Sequence, residues 1–192
     1  SHMTFNYHID ELHKKIVGKL MYINRVKDQF DKNTRIMIIE ALILSHINYC
    51  ISVWGSTNNT QLNRVQKLLN FAAKVADGNA MKFDHVTPIL KDLKWLKIDQ
   101  QYRFTLCCRI WKIVYNESPN WLFTLPRVGA VTGSTTRQSN NLFVPRYSLD
   151  SGARAFEICA PKLWNALPNS IKELQNFSSF KTKMKNYLLG LQ

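Results

Sequence analysis

The chain has 192 residues, 45% hydrophobic and 20% charged, which suits one large folded domain or two small ones and excludes a disordered tail. Lys and Arg number 26 against 13 acidic residues, for a net charge of +13. Residues 1–117 contribute +7 of this and residues 118–192 the other +6, so the excess is not the property of a tail. A folded protein this basic points to a polyanionic partner, nucleic acid first; the alternative is a solubility surplus with no partner. The longest apolar run, residues 36–44, is broken by Glu40 and falls short of the ~18 residues a membrane span needs, so neither a membrane partner nor a signal peptide is expected. Cys50, Cys107, Cys108 and Cys159 show no CxxC spacing. No zinc site, disulfide scaffold or cofactor is expected, and the four read as buried thiols in a reducing compartment.

Ser1-His2-Met3 reads as a remnant of tag removal and is set aside. The first helix is predicted to start with Asp10 as cap and to carry Ile9, Leu12, Ile16, Leu20 and Ile23 on one apolar stripe. A second begins near Asp31-Lys32-Asn33-Thr34, with Thr34 or Asn33 offering the capping oxygen. Its inward set is Ile36, Ile39, Leu42, Ile43 and Ile47, wide enough to need burial on two sides. After the turn cluster Gly55-Ser56-Thr57-Asn58-Asn59, a third helix spans residues 60–76, with Leu62, Val65, Leu69, Ala72 and Ala76 inward, and Asp77-Gly78-Asn79 stops it. Three helices with short links predict a small bundle.

A short helix over residues 86–93 follows, then a longer one after Ile98-Asp99 that is apolar nearly all round and so belongs in a core. Ser118-Pro119 predicts a further helical turn. From Leu125 to Ser151 the periodicity stops. This Gly-, Ser- and Thr-rich stretch holds Arg127, Arg137 and Arg146 but no acid until Asp150, and reads as a long basic loop with a short strand at Leu142-Phe143-Val144. Helices are predicted again over residues 153–163, 170–174 and 178–189, the last with Phe180, Met184, Tyr187, Leu188 and Leu191 inward.

Two segments carry a family likeness. Asn48-Tyr49-Cys50-Ile51-Ser52-Val53-Trp54-Gly55, followed by Leu62-Asn63-Arg64-Val65-Gln66-Lys67, resembles the Tyr…Val-Trp-Gly and Leu-x-x-Leu-Gln pattern found after the palm in LINE-type reverse transcriptases. Thr136-Arg137, Val144-Pro145-Arg146, Gly152-Ala153-Arg154-Ala155-Phe156 and Ala160-Pro161-Lys162-Leu163-Trp164-Asn165-Ala166-Leu167-Pro168, then Ser179-Phe180-Lys181, are similar to the C-terminal end of Jockey-like LINE polyproteins. The resemblance implies a mainly α fold: a three-helix, thumb-like bundle over residues 4–78, packed on a helical C-terminal region over residues 79–192 with one long basic loop. It implies no catalysis, because the paired palm carboxylates that hold two metal ions have no counterpart and the chain contains no Asp-Asp pair. The Cys/His knuckle that ends some LINE families is missing as well. What remains is binding of template RNA or an RNA–DNA hybrid in support of target-primed reverse transcription. The partners implied are that nucleic acid, target DNA and the polymerase palm, in a nuclear and cytoplasmic ribonucleoprotein. The alternatives are an interaction module retained by a host genome, or a structural brace for the palm that touches no nucleic acid.

At about 100° per residue, Lys14 and Arg25 fall opposite the first helix's apolar stripe, with Lys15 and Lys19 at its edge. On the third helix Arg64, Lys67 and Lys74 share the outward face with Phe71. Cations with an aromatic among them suit a phosphate backbone; the alternative is a solvated face, with Phe71 packed on a neighbouring domain. Arg137, Arg146 and Arg154 are the sharper candidates, since guanidinium forks bind phosphate with geometry. Their alternative role is to tie the long loop internally. Trp54 and Trp164 stand in apolar surroundings and are expected to be core anchors.

Overall fold

The computed structural model describes residues 5–81, 83–115, 125–133 and 135–192, the side chains of residues 150 and 151 excepted. The expected helical turn at Ser118-Pro119 lies outside these. The protein is mainly helical, and among the described residues strand pairing is limited to an isolated antiparallel bridge between Arg127 and Leu142. By compactness the chain divides into two units, one running to Tyr102 with Leu188–Gln192 added, the other Arg103–Tyr187.

The first unit is built on α1 (Asn6–Val26), α2 (Lys32–Ile39) and α5 (Asn59–Asp77), with α1 and α2 both packed on α5. Ile9, Leu12, Ile16, Leu20 and Ile23 are all buried, as their spacing requires. Helix α1 starts at Asn6, a turn earlier than Asp10 suggested, and Asp10 serves instead as an ion-pair partner inside the helix. The cap of α2 is Asp31, not Asn33 or Thr34. Its carboxylate accepts from the Asn33 amide and from the Thr34 hydroxyl, so the two predicted caps act as donors to it. Helix α2 runs on through a π-helical segment, Glu40–Leu44, into α3 (Ser45–Asn48). The wider turn keeps Ile39, Ile43 and Ile47 inward and turns Leu42 outward at 45% exposure, which narrows the expected two-sided burial.

The Tyr-to-Gly segment is architectural. Cys50 takes a left-handed conformation (φ 50°) ahead of α4 (Ile51–Trp54), and the buried Trp54 indole donates to the Tyr49 carbonyl at 2.9 Å. A Cβ on Gly55 would lie 2.5 Å from the Tyr102 ring, which only glycine avoids. Gln66 receives the Ile98 amide at 2.8 Å and so caps α7 (Ile98–Val114). The hydrophobic core continues past residue 78, where the family likeness placed a division: Leu90 of α6 (Val86–Asp92), Trp95 and Ile98 belong to the same buried cluster as α1 and α5.

The second unit holds the later part of α7 with α8 (Val128–Thr132), α9 (Asp150–Ala153), α10 (Phe156–Asn165), α11 (Asn169–Lys172) and most of α12 (Phe177–Gly190). Its centre is aromatic. Trp111 lies 5.0 Å from Phe177 and 6.0 Å from Phe180, Trp164 lies 6.0 Å from Phe180, and the Trp111 indole donates to the Leu174 carbonyl at 2.7 Å. Phe180, Met184 and Leu188 are inward as predicted, but Leu191 is 58% exposed because α12 has ended at Gly190. The stretch taken as loop is more ordered than its composition suggests. It contains α8, gives way to α9 at its end, and has its two arms joined by Val128 N to Asn141 O at 2.8 Å and Phe143 N to Pro126 O at 2.8 Å. Asn165 then pins the arm to α10: its carboxamide accepts from the Leu142 amide (2.9 Å) and donates to the Leu142 carbonyl (2.8 Å), imitating a neighbouring strand.

Candidate nucleic-acid interface

Helix α1 presents its outward face as a stripe of Tyr7, Lys14, Gly18, Met21, Tyr22 and Arg25, opposite the buried isoleucines. Tyr7 is 81% and Tyr22 68% exposed, unusual for aromatics in a helix whose other face is fully buried. Gly18 stands mid-stripe with open space around the position a Cβ would occupy, so no packing constraint within the protein calls for glycine there. Lys14 pairs with Glu11 at 2.9 Å, an exposed contact that water largely screens. Arg25 is exposed and makes no ion pair or side-chain hydrogen bond among the described residues. At the edge of the stripe the Lys19 ammonium donates to His46 Nε2 at 2.6 Å. Burial, then Lys19 and Lys15, hold the His46 imidazole below its ordinary value, which keeps it neutral and able to accept that bond.

The α5 face is less open than its helical wheel implies. Arg64 is committed to Asp10 at 2.8 Å and to the Gln61 side chain at 2.9 Å. Lys74 donates to the Met81 carbonyl at 2.9 Å, while Lys67 alone of the three is exposed. Phe71 is partly buried against the core: α5 buries Leu68, Ala73 and Val75 beyond the predicted set, and this wider buried arc reaches its edge.

In the second unit Arg137 and Arg146 are exposed and make no ion pair or side-chain hydrogen bond among the described residues. The internal tie comes from Arg127, whose guanidinium donates to the Asn140 carbonyl at 3.0 Å. Arg154 is half-buried, and its Nε has no hydrogen-bond partner among the described residues. Next to Arg146, Tyr147 carries Lys162 over its ring, 4.2 Å from the centroid, and accepts from the same ammonium at 2.7 Å. Trp54 and Trp164 are buried, as their surroundings suggested.

Several cations that sequence reasoning passed over are structural. Arg35 donates to four backbone carbonyls, those of Lys27, Phe30, Ala76 and Asp77, and so closes the C-terminal ends of α1 and α5 together. Gly78 (φ 84°) beside it has no room for a side chain, since a Cβ would sit 2.7 Å from the Arg35 guanidinium carbon. Lys32 pairs with Asp92 at 2.8 Å and Asp77 at 3.5 Å. The cysteines are mixed. Cys107 is buried with its thiol pushed well up, burial lifts Cys108 to about 11, and Cys50, expected inside, is exposed because the left-handed turn before α4 turns it out. Among the described residues no three His, Cys, Asp or Glu side chains gather to hold a metal ion, and no helix is long and apolar enough to cross a membrane.

This geometry defines a basic, mainly helical protein whose outward cations include those on α1 and on the segment between α8 and α9. In comparisons with family models, curated proteins and solved structures, nothing matches the chain.

Proposed function

We propose that this chain is a non-catalytic, nucleic-acid-binding part of a LINE-type reverse transcriptase, holding template RNA or RNA–DNA hybrid in support of target-primed reverse transcription. The observation that carries the reading is the α1 stripe. Exposed tyrosines among cations supply stacking or sugar contacts together with phosphate contacts, the pairing that sequence-tolerant nucleic-acid binders use. Gly18 supports it, because a bare backbone in mid-stripe lets a partner's backbone approach closely. The family likeness supplies the choice of RNA or hybrid as ligand, the palm as neighbour and the ribonucleoprotein setting, and target DNA is a further ligand under the same reading. Arg137 and Arg146 are a second contact set, and Arg154, with its unpartnered Nε, a third element of it.

The competing reading is a protein-binding module or palm brace, favoured by the exposed apolar residues Met37 (69%), Tyr49 (70%) and Val53 (52%). The two separate in a fluorescence-anisotropy titration with single-stranded RNA, RNA–DNA hybrid and duplex DNA across a salt series. Nucleic-acid binding predicts affinity falling steeply with salt, about 0.7–0.9 units of log–log slope per phosphate neutralised. The double variant Tyr22→Ala, Arg25→Ala should bind more weakly with its melting temperature unchanged. Absence of binding to all three ligands at about 50 mM salt, where electrostatic contacts are strong, would leave the protein-binding reading standing.

A further inference from the structure

At the C-terminal end of α1, wholly within the first unit, a cavity of about 460 Å³ opens between α1, α5 and the residues Ala80, Met81 and Val86, within the size range of small-ligand pockets. Its lining is chemically sorted. Asn24 and Asn70 bring carboxamides, Lys27 and Lys74 bring ammonium groups, and Phe71 and Met81 bring a ring and a thioether; among the described residues no carboxylate lines it. The lysines are held in place by backbone carbonyls, Lys27 by Gly78 at 3.3 Å and Lys74 by Met81 at 2.9 Å. A carbonyl orients an ammonium without cancelling its charge. Asn70 is oriented as well: its Oδ1 accepts from Gln66 at 2.7 Å, which leaves its amino group as the donor. The Asn24 carboxamide makes no hydrogen bond among the described residues.

We infer that this cavity seats one unpaired nucleotide, its base against Phe71 and Met81, its edge on the Asn24 and Asn70 carboxamides, and its phosphate at Lys27 and Lys74. The inference rests on the nucleic-acid reading for its ligand class and narrows it, because a base in a duplex already spends the edge that these carboxamides would contact. Each part of the lining answers a part of the ligand. Bases offer a flat face to rings and sulfur and a mixed donor–acceptor edge to amides, while phosphate wants cations free of competing acid. A simple anion would use the lysines and leave both carboxamides idle. An apolar ligand would set its surface against two ammonium charges and two carboxamides. Single-stranded or bulged RNA is therefore the substrate that uses the whole wall, in preference to a perfect hybrid.

The test is an amide-resolved NMR titration of the full chain with the four nucleoside 5′-monophosphates, with ribose 5-phosphate as the base-less control. The expected result is saturable shifts at the Asn24 and Asn70 side-chain amides and at the Ala80 and Met81 backbone, for at least one nucleotide, with ribose 5-phosphate at least about tenfold weaker, as loss of the stacking and edge contacts implies. Asn24→Ala, a partly exposed helical position, should weaken that nucleotide about fivefold, the worth of one hydrogen bond. Equal binding of ribose 5-phosphate, shifts that do not saturate, or shifts confined to other regions overturn the inference. A labelled single-stranded RNA oligomer is titrated in parallel. If the oligomer binds while nucleotides do not enter the cavity, the cavity inference fails and the wider reading stands. If the oligomer, an RNA–DNA hybrid and duplex DNA all fail to bind at about 50 mM salt, the wider reading fails, whatever the mononucleotides do.

Discussion

The two units use positive charge differently. In the first, five cations have structural work: Arg35 gathers four carbonyls, Arg64 holds Asp10, Lys32 holds Asp77 and Asp92, and Lys27 and Lys74 each hold a carbonyl. In the second, the segment between α8 and α9 is fastened by an asparagine and by main-chain bonds, while Arg137 and Arg146 are exposed and hold nothing among the described residues. A helical bundle ends in clusters of orphan carbonyls, and a nearby cation is a ready donor for them. A segment whose arms pair with each other meets most of its backbone demands itself, so one arginine, Arg127 on the Asn140 carbonyl, suffices as a side-chain tie. The same net charge thus conceals two kinds of cation, and under the proposed function the polyanion is assigned to those without structural work.

Substitutions sharpen this contrast, and the largest effect belongs to Arg35. Arg35→Ala should cost about 2–4 kcal/mol, since it strips charged donors from carbonyls at two helix ends and leaves them part-buried. A urea melt followed by tryptophan fluorescence reads this, and a loss under about 0.5 kcal/mol would mean the clamp is an incidental surface contact. Asn165→Ala comes next. It leaves both backbone groups of the buried Leu142 unpaired, which predicts a loss of about 2–3 kcal/mol and faster amide exchange at Leu142. If Leu142 stays protected, the arm is held by its own pairing and Asn165 is dispensable.

Gly18→Ala should act in the opposite direction. Its site is open, so the substitution is expected to stabilise α1 by about 0.5–1 kcal/mol, raising the melting temperature. If the stripe contacts a nucleic-acid backbone closely, the same variant binds RNA more weakly while being more stable; unchanged binding would remove Gly18 from the interface. The smallest stability effect is assigned to Arg137→Ala with Arg146→Ala, within about 0.5 kcal/mol of wild type, because neither side chain holds anything. Its readout is the salt dependence of RNA binding, shallower by roughly one to two units. A marked drop in melting temperature would instead show these arginines bracing the segment, and would erase the contrast between the units.

Much of the architecture was legible in the residues. The period of Ile9, Leu12, Ile16, Leu20 and Ile23, the stop at Asp77-Gly78, and the apolar wrap of α7 each report a local requirement that adjacent residues must meet, so spacing alone places them. The burial of Trp54 and Trp164 followed from their apolar neighbours in the same way. The basic faces were legible only as candidates. A helical wheel shows which way Arg64 points, but not that Asp10 of another helix waits there at 2.8 Å. Neither could spacing show that Phe71 sits at the edge of a buried arc, nor that the long basic stretch is ordered by Asn165, 23 positions beyond Leu142.

The sequence by itself determined a helical, basic protein and the inward face of its long helices, because hydrophobic periodicity and net charge are sums over neighbours in the chain. Only the tertiary structure decided which cations are spoken for, since an ion pair or a carbonyl clamp depends on residues dozens of positions apart meeting within 3 Å or so. It also decided where a cavity with two carboxamides and two ammonium groups opens, for Asn24 and Lys27 belong with Asn70 and Lys74 only once α1 has packed on α5.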